Sequence, residues 1–331
     1  MVNARHPAST SICREPGWPR AAGYRPVAWL VFLLLTSPLA GLFPAPAVAA
    51  VTEQRDEWIN TIAGSPLAAP LHVESSESRN AVQGSVHASL PYSFETLATE
   101  LHSVAAWCEI SFLHLNIKAC VYDGDPAADS SIMQLYVGRK RYQLPETADV
   151  VELRLQAAKL AEDHLALEIF GDRGPHGSRD FRLHLQIIPY SADESLIHLR
   201  YSLRFGLPAR IAMRIYFATG GRNRVGFTVE DYDHDGEPVH VGGLRGVIER
   251  NVMRFYLALQ AHLETREIPG DEQLQARLRR WFELTERYPR QLHELDRESY
   301  LKYKQREYAN QEALQKDPVS LIPAKQEPGV E

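Results

Sequence analysis

The chain has 331 residues and a formal charge of −6. That length permits one large domain with appendages or two small ones. The acidic excess speaks against nucleic acid as a partner, because such binding is driven largely by phosphate neutralisation.

Residues 1–49 read as a secretory signal. Arg5, Arg14, Arg20 and Arg25, set against Glu15 alone, precede an apolar core over residues 27–37. Ala47-Val48-Ala49, after the break Pro44-Ala45-Pro46, is a small-x-small site for cleavage before Ala50. An uncleaved anchor is the other reading, but the uninterrupted apolar stretch is shorter than the about 20 residues usual for a bilayer crossing. No later stretch approaches that length, so no transmembrane segment is expected in the mature chain. Cleavage removes four arginines and one glutamate, which takes the charge from −6 to −9. Arginine outnumbers lysine 29 to 7, the bias of a GC-rich bacterial coding background, and the periplasm is therefore the expected compartment.

Residues 50–79 form an N-terminal segment ahead of the first strongly patterned region. Ala81–Leu90 reads as extended. Ser93 is placed to cap a helix through Phe94, Leu97, Ala98 and Leu101, and a second short helical piece covers Val104–Trp107. Apolar and polar residues then alternate in Leu113–Val121, Met133–Val137, Val151–Ala157, Phe181–Ile187 and Ile197–Phe205, with Leu165–Ile169 on the same phase. Period-two alternation with short turn-rich connections predicts an antiparallel meander with one buried face. Cys108 and Cys120 survive cleavage, and an oxidising compartment favours a bond between them. Strands rise about 3.3 Å per residue, so that bond requires a turn between Phe112 and Asn116.

A helix is expected over Pro208–Phe217, and a long amphipathic one over Leu244–Leu263. The stripe of the latter is Leu244, Ile248, Val252, Phe255, Leu259 and Leu263, with Arg245, Glu249 and Arg250 off that face. Residues 271–288 repeat the pattern through Leu274, Leu278, Trp281 and Phe282 until Pro289 stops it. A charged helix over Arg290–Glu312 follows, with the weaker stripe Leu292, Leu295, Ser299, Tyr303, and residues 316–331 read as a disordered tail.

The order strand, two helices, six strands, long helix resembles the helix-grip fold of the START and Bet v 1-like superfamily (SRPBCC), over residues 80–265. The resemblance implies an α+β domain in which a curved antiparallel sheet wraps a long C-terminal helix and leaves a cavity between them. Residues 266–315 add a helical extension packed on the domain, with docking of a protein partner as its other use.

The mature chain carries no nucleophile elbow, phosphate loop, dinucleotide fingerprint or zinc-spaced set, so no catalytic residue, cofactor or metal is assigned. Asp231-Tyr232-Asp233-His234-Asp235-Gly236 opens like a calcium loop, but Gly242 stands where the bidentate glutamate belongs. On the odd strand phase Leu115, Ile117, Leu135, Val137, Leu153, Leu183, Leu199 and Tyr201 face inward, joined by Val252 and Phe255 from the long helix. The same phase sends Arg139 toward the interior, where its planar fork of donors would suit a ligand's carboxylate or phosphate. The even set, which includes His114, Lys118, His184 and His198, is expected on the convex, solvent side, as is His164. START-like proteins bind lipids and other hydrophobic molecules, so the resemblance implies a periplasmic carrier of such a ligand. A cyclase- or hydrolase-like enzyme would need polar groups from Glu249, Asn251, Tyr256 or Asp231. A non-enzymatic assembly protein would act through the C-terminal helices.

Overall fold

The computed structural model describes residues 46–125, 130–161, 163–174, 177–206 and 224–316. The signal core, the helix expected over Pro208–Phe217 and the C-terminal tail lie outside the described residues. The chain divides into Met1–Phe43 and Pro44–Glu331, and all described residues belong to the second unit.

Eight strands form one antiparallel sheet: β1 (Leu71–Glu77), β2 (Ala81–Leu90), β3 (Ile117–Asp123), β4 (Ser130–Val137), β5 (Asp149–Ala161), β6 (His164–Arg173), β7 (Ser178–Pro189) and β8 (Ser195–Phe205). Their spatial order is β1-β2-β8-β7-β6-β5-β4-β3, so the first hairpin joins the last strand, and β1 and β3 are the edges. A small hairpin, β9 (Val229–Tyr232) and β10 (Pro238–His240), stands apart. The helices are α1 (Pro46–Ala63), α2 (Phe94–Leu101), α3 (Val104–Phe112), α4 (Gly243–Glu264), α5 (Gly270–Thr285), α6 (Pro289–Leu292) and α7 (Arg297–Lys316). The expected cleavage point before Ala50 falls within α1. No described helix is long and apolar enough to cross a membrane.

The long helix α4 lies against the concave face, which makes the architecture an α+β helix-grip. Gly84 on β2 permits the close crossing: a Cβ there would stand 3.2–3.3 Å from Ile248. The opposite side of α4 is covered too. Trp281 Nε1 of α5 donates to Arg254 O at 3.2 Å, and Glu249, Arg250 and Arg254 are all buried, so the polar side of this helix does not face water. Glu249 compensates for its burial through four hydrogen bonds, from Phe227 N, Thr228 N, Thr228 Oγ1 and Ser75 Oγ, which tie the segment after residue 224 and β1 to α4. Gly226 is required beside it, because a Cβ would stand 2.4 Å from Glu249 Oε2.

Ser93 caps α2 by accepting from Thr96 N. The expected strand over Leu113–Val121 begins instead at Ile117, because α3 continues to Phe112 and a turn follows. That turn brings Cys108 and Cys120 together as a disulfide with Cα atoms 5.1 Å apart. A bulge at Lys118 then reverses the phase: Ile117 pairs with Val137 but Cys120 with Leu135, so Ala119 and Val121 face outward beside Tyr136 and Leu314 of α7.

Helix α7 runs along the edge strand β3. The expected single helix from Arg290 is broken at residues 293–296, and Asp296 Oδ1 caps α7 by accepting from Ser299 N at 2.8 Å. Its buried face is Tyr300, Lys304 and Glu307 rather than the stripe through Ser299 and Tyr303, because what it covers is backbone. Lys304 Nζ donates to Ile117 O, Gln311 Oε1 accepts from Cys120 N, and Gln315 both accepts from Tyr122 N and donates to Tyr122 O.

The convex face is not simply solvated. Trp58 of α1 packs there with Ile188 and Leu196, and its indole meets His87 and His198 edge-on at 5.7 and 5.6 Å. His198 is therefore buried where solvent exposure was expected; His164 is buried as well, beside Gln186, and His184 is half-exposed. His198 is pushed down to about 3, first by desolvation and then by its neighbour His87.

Candidate functional site

The interior of the grip is one apolar core with a partly buried aromatic margin. The cross-strand row Leu167, Leu185, Leu199 is sealed, at 0–1% exposure. One row along, Ile169 and Leu183 keep 4% and 7%, and Tyr201 beside them is only partly buried. Leu153 and Leu135 retain similar surface, and Phe181, Val137 and Phe255 are partly buried against the same core. The small surface that remains is not confined to one end: Leu155, paired with Ile169, and Met133, paired with Leu153, are fully buried, while Leu165 beyond the sealed row keeps 6%.

Four rings cross the aromatic margin. Phe181 and Tyr201 lie 6.3 Å apart between centroids, Tyr201 and Phe255 5.6 Å, and Phe255 and His114 5.3 Å. Desolvation raises the phenol pKa of Tyr201. Of the expected lining, Leu115, Ile117, Leu135, Leu153, Leu183, Leu199 and Val252 are buried in this one core, with Val137, Tyr201 and Phe255 at its accessible margin.

His114 is a correction. Its place in the turn before β3, rather than in the strand, points it inward against Phe255, and it is 5% exposed. Nδ1 accepts from Asn116 N at 3.2 Å, which leaves the proton on the buried Nε2. Desolvation, then Arg254, Lys140 and Lys304, hold its pKa well below the usual range, against a partial offset from Asn251. Lys118 is a second correction: the bulge turns it into the protein, where its ammonium meets Glu307 Oε1 at 2.9 Å.

Arg139 is the third. β4 ends at Val137, so the period-two phase does not reach residue 139; Arg139 is exposed, and its backbone N–H donates to Gln143 Oε1 at 3.0 Å. The inward cation at this rim is Lys140. Together with Arg224 and Arg254 it meets the nearly buried Glu294 of the segment between α6 and α7. Desolvation brings Lys140 down to about 8 despite that carboxylate. Sequence reading had no signal for Glu294, whose role depends on a long-range fold-back.

The residues considered for catalysis do not converge. Glu249 is committed to its four hydrogen bonds, Tyr256 lies in the apolar core, and Asp231 is exposed on the small hairpin. Asp233, His234 and Asp235 are close enough to share a cation but are fully exposed at the hairpin turn, where Asp233 Oδ1 accepts from Asp235 N and Glu237 N. Two open depressions, of about 560 and 360 Å³, lie among the described residues: one is lined by groups such as Asp180, Arg182 and Arg204, the other by Glu152 and Arg154 of β5 and Asp172 of β6. Neither is the apolar interior.

No family model and no curated protein matches this chain. Solved structures do. Human STARD10 is 11% identical over 54% of this chain and 77% of its own, with a TM-score of 0.34. The Zhui aromatase/cyclase from Streptomyces sp. R1128 is 10% identical over 60% and 98%, at 0.30. A START superfamily protein from Mycobacterium smegmatis is 15% identical over 42% and 92%, at 0.26. The fold description rests on strand order, register and the placement of α4.

Proposed function

We propose that the protein binds or transfers a lipid or another hydrophobic molecule held between the concave sheet face and α4. The observation that carries this is the apolar lining between the sheet and α4, with Phe181, Tyr201 and Phe255 only partly buried at its margin. The scattered positions of Glu249, Tyr256 and Asp231 favour binding over catalysis. The Cys108–Cys120 disulfide is what an oxidising compartment sustains. Together with the signal-like residues 1–49, it supports export to the periplasm and action there as a carrier. Use of the C-terminal helices as a docking arm is the weaker reading, because α7 is occupied by the edge of β3. Protein isolated from its native compartment and extracted with organic solvent tests the proposal: mass spectrometry should find a hydrophobic molecule near one per chain. A clean extract together with no uptake of offered lipid would refute it.

A further inference from the structure

The convex face carries a row of titratable groups that the grip does not use. His72 of β1 pairs directly with His87 of β2, and His87 directly with His198 of β8. His87 and His198 stack with centroids 4.1 Å apart and planes within 10°. Trp58 of α1 lies edge-on over both rings, and all three side chains are buried. The ring nitrogens His72 Nδ1, His87 Nδ1 and His198 Nε2 are buried and make no hydrogen bond. Buried polar atoms are nearly always paired, so three orphans in one cross-strand row hold a cost that water would relieve.

The helix that keeps water out is lightly attached. Trp58, Ile59 and Ile62 meet Ile188 and Leu196 in a cluster separate from the main core. Among the described residues, the polar side chains from Glu53 to Thr61 make no bond to the sheet: Arg55 lies near Asp56, and Thr61 Oγ1 donates to Glu57 O. Elements held by so few contacts open at low cost while the rest of a fold stays intact. We propose that α1 is an acid-released strap, seated on the sheet while the histidine row is neutral and freed when His87 and His198 take up protons, which uncovers the row and the apolar patch at Ile188 and Leu196.

The charges around the stack set the sign. From β1, Glu74 brings Oε1 to 3.7 Å from His87 Nε2, and Ser85 Oγ of β2 donates to the same oxygen at 3.1 Å. From β8 and β7, Arg200 and His184 act against a charge on His198, and His72 of β1 adds a third ring beside His87. Glu249 of α4 favours a proton on His72, and α1 contributes Arg55, one turn before Trp58 and close to Asp56. One carboxylate at the stack compensates one proton, whereas two imidazolium rings face to face repel each other in a dry place. Burial is the first cause that holds His198 down at about 3, followed by His87 and Arg200, and burial also lowers His72. Freed of α1, His198 returns toward the ordinary value of about 6.5. The released form therefore binds more protons between those two values. The seat is fully held above about pH 6.5 and weakens as pH falls, by up to about tenfold per pH unit for each such histidine.

The experiment is amide hydrogen exchange of the full chain, read by mass spectrometry on peptides covering residues 53–63 and 183–188, with each rate divided by its intrinsic rate at that pH. Protection of residues 53–63 should fall about tenfold or more from pH 7.5 to pH 5.0, while the β7 peptide keeps its protection. His198→Phe retains a flat ring for the stack but takes no proton, so it should hold the α1 protection at pH 5.0. His198→Asn, smaller and equally unable to titrate, supplies the same test if the larger ring disturbs the fold, with circular dichroism as the control. His234→Ala alters an exposed histidine on the small hairpin and should leave the acid loss in place. Protection of α1 that is indifferent to pH in the wild type would overturn the proposal, as would an acid loss that persists in both His198 variants or disappears in His234→Ala. No ligand of the grip enters these measurements.

Discussion

Glu307 shows how this chain spends charge in its interior. Its carboxylate lies between Lys118 Nζ at 2.9 Å and Lys304 Nζ at 3.0 Å, with all three side chains almost fully buried. Each ammonium also donates to backbone: Lys118 to Leu115 O and Arg141 O, Lys304 to Ile117 O, with Lys304 3.7 Å from the centre of the Phe112 ring. Removing one partner of a buried ion pair typically costs about 3–5 kcal/mol, because the charge left behind stays desolvated. Glu307→Gln, which strands two ammonium groups, should lose at least that much in urea denaturation. The lysines also give the fold a pH dependence. Desolvation lowers the pKa of Lys118 and brings Lys304 down to about 8. A base whose pKa is lower in the folded state holds fewer protons there than in the unfolded chain, between the two values, so stability rises with pH across that interval. For Lys304 the interval runs from about 8 to the ordinary lysine value of about 10.4. Wild type should gain stability over Lys304→Met between pH 8 and pH 10, and a constant difference would show that burial does not perturb this amine.

At the scale of elements, α7 treats an edge strand as its binding partner. Positions 304, 311 and 315 fall on one helical face at steps of seven and four, and their side chains satisfy the outward backbone groups of Ile117, Cys120 and Tyr122. Unpaired edges invite pairing with other chains, so deleting residues 297–331 should produce dimers or larger species by light scattering. Gln311→Ala with Gln315→Ala should cost about 1–3 kcal/mol for each buried group left unpaired. A truncated protein that stays monomeric with an unchanged melting temperature would show that this cover is dispensable. The same contacts explain what could be read from the sequence. The strands from 133 to 205 were legible because one face of each meets an apolar core, and so was the stripe of α4. Helix α7 was misread because its buried face, Tyr300, Lys304 and Glu307, is largely charged and carries no apolar stripe. The bulge at Lys118 was invisible to a rule that assumes an unbroken period of two, and His114 was placed outside because the alternating pattern was extended through a turn that precedes β3. β1 was missed because only Leu71 and Val73 alternate before the polar run Glu74–Glu77. Lys140 took the place expected for Arg139 because β4 stops two residues sooner than its pattern.

For the whole molecule, the sheet separates two environments. Its concave side and α4 form the grip, an apolar core with Phe181, Tyr201 and Phe255 only partly buried at its margin. Its convex side, under α1, holds the histidine row. The account stands or falls on whether the concave interior is space for a ligand or a filled core. A single substitution distinguishes these, because an added large side chain occupies empty space cheaply but strains a packed one by about 1–3 kcal/mol. Leu183 is placed for it, directly beside Tyr201 and itself 7% exposed. The measurement is the number of fluorescent acyl-lipid molecules bound per chain by Leu183→Trp and by wild type, taken together with the melting temperature of each. The grip as described predicts that binding falls severalfold while the melting temperature is held. Unchanged binding with a melting temperature lowered by several degrees would contradict it, and would mean that the space between sheet and helix is already full.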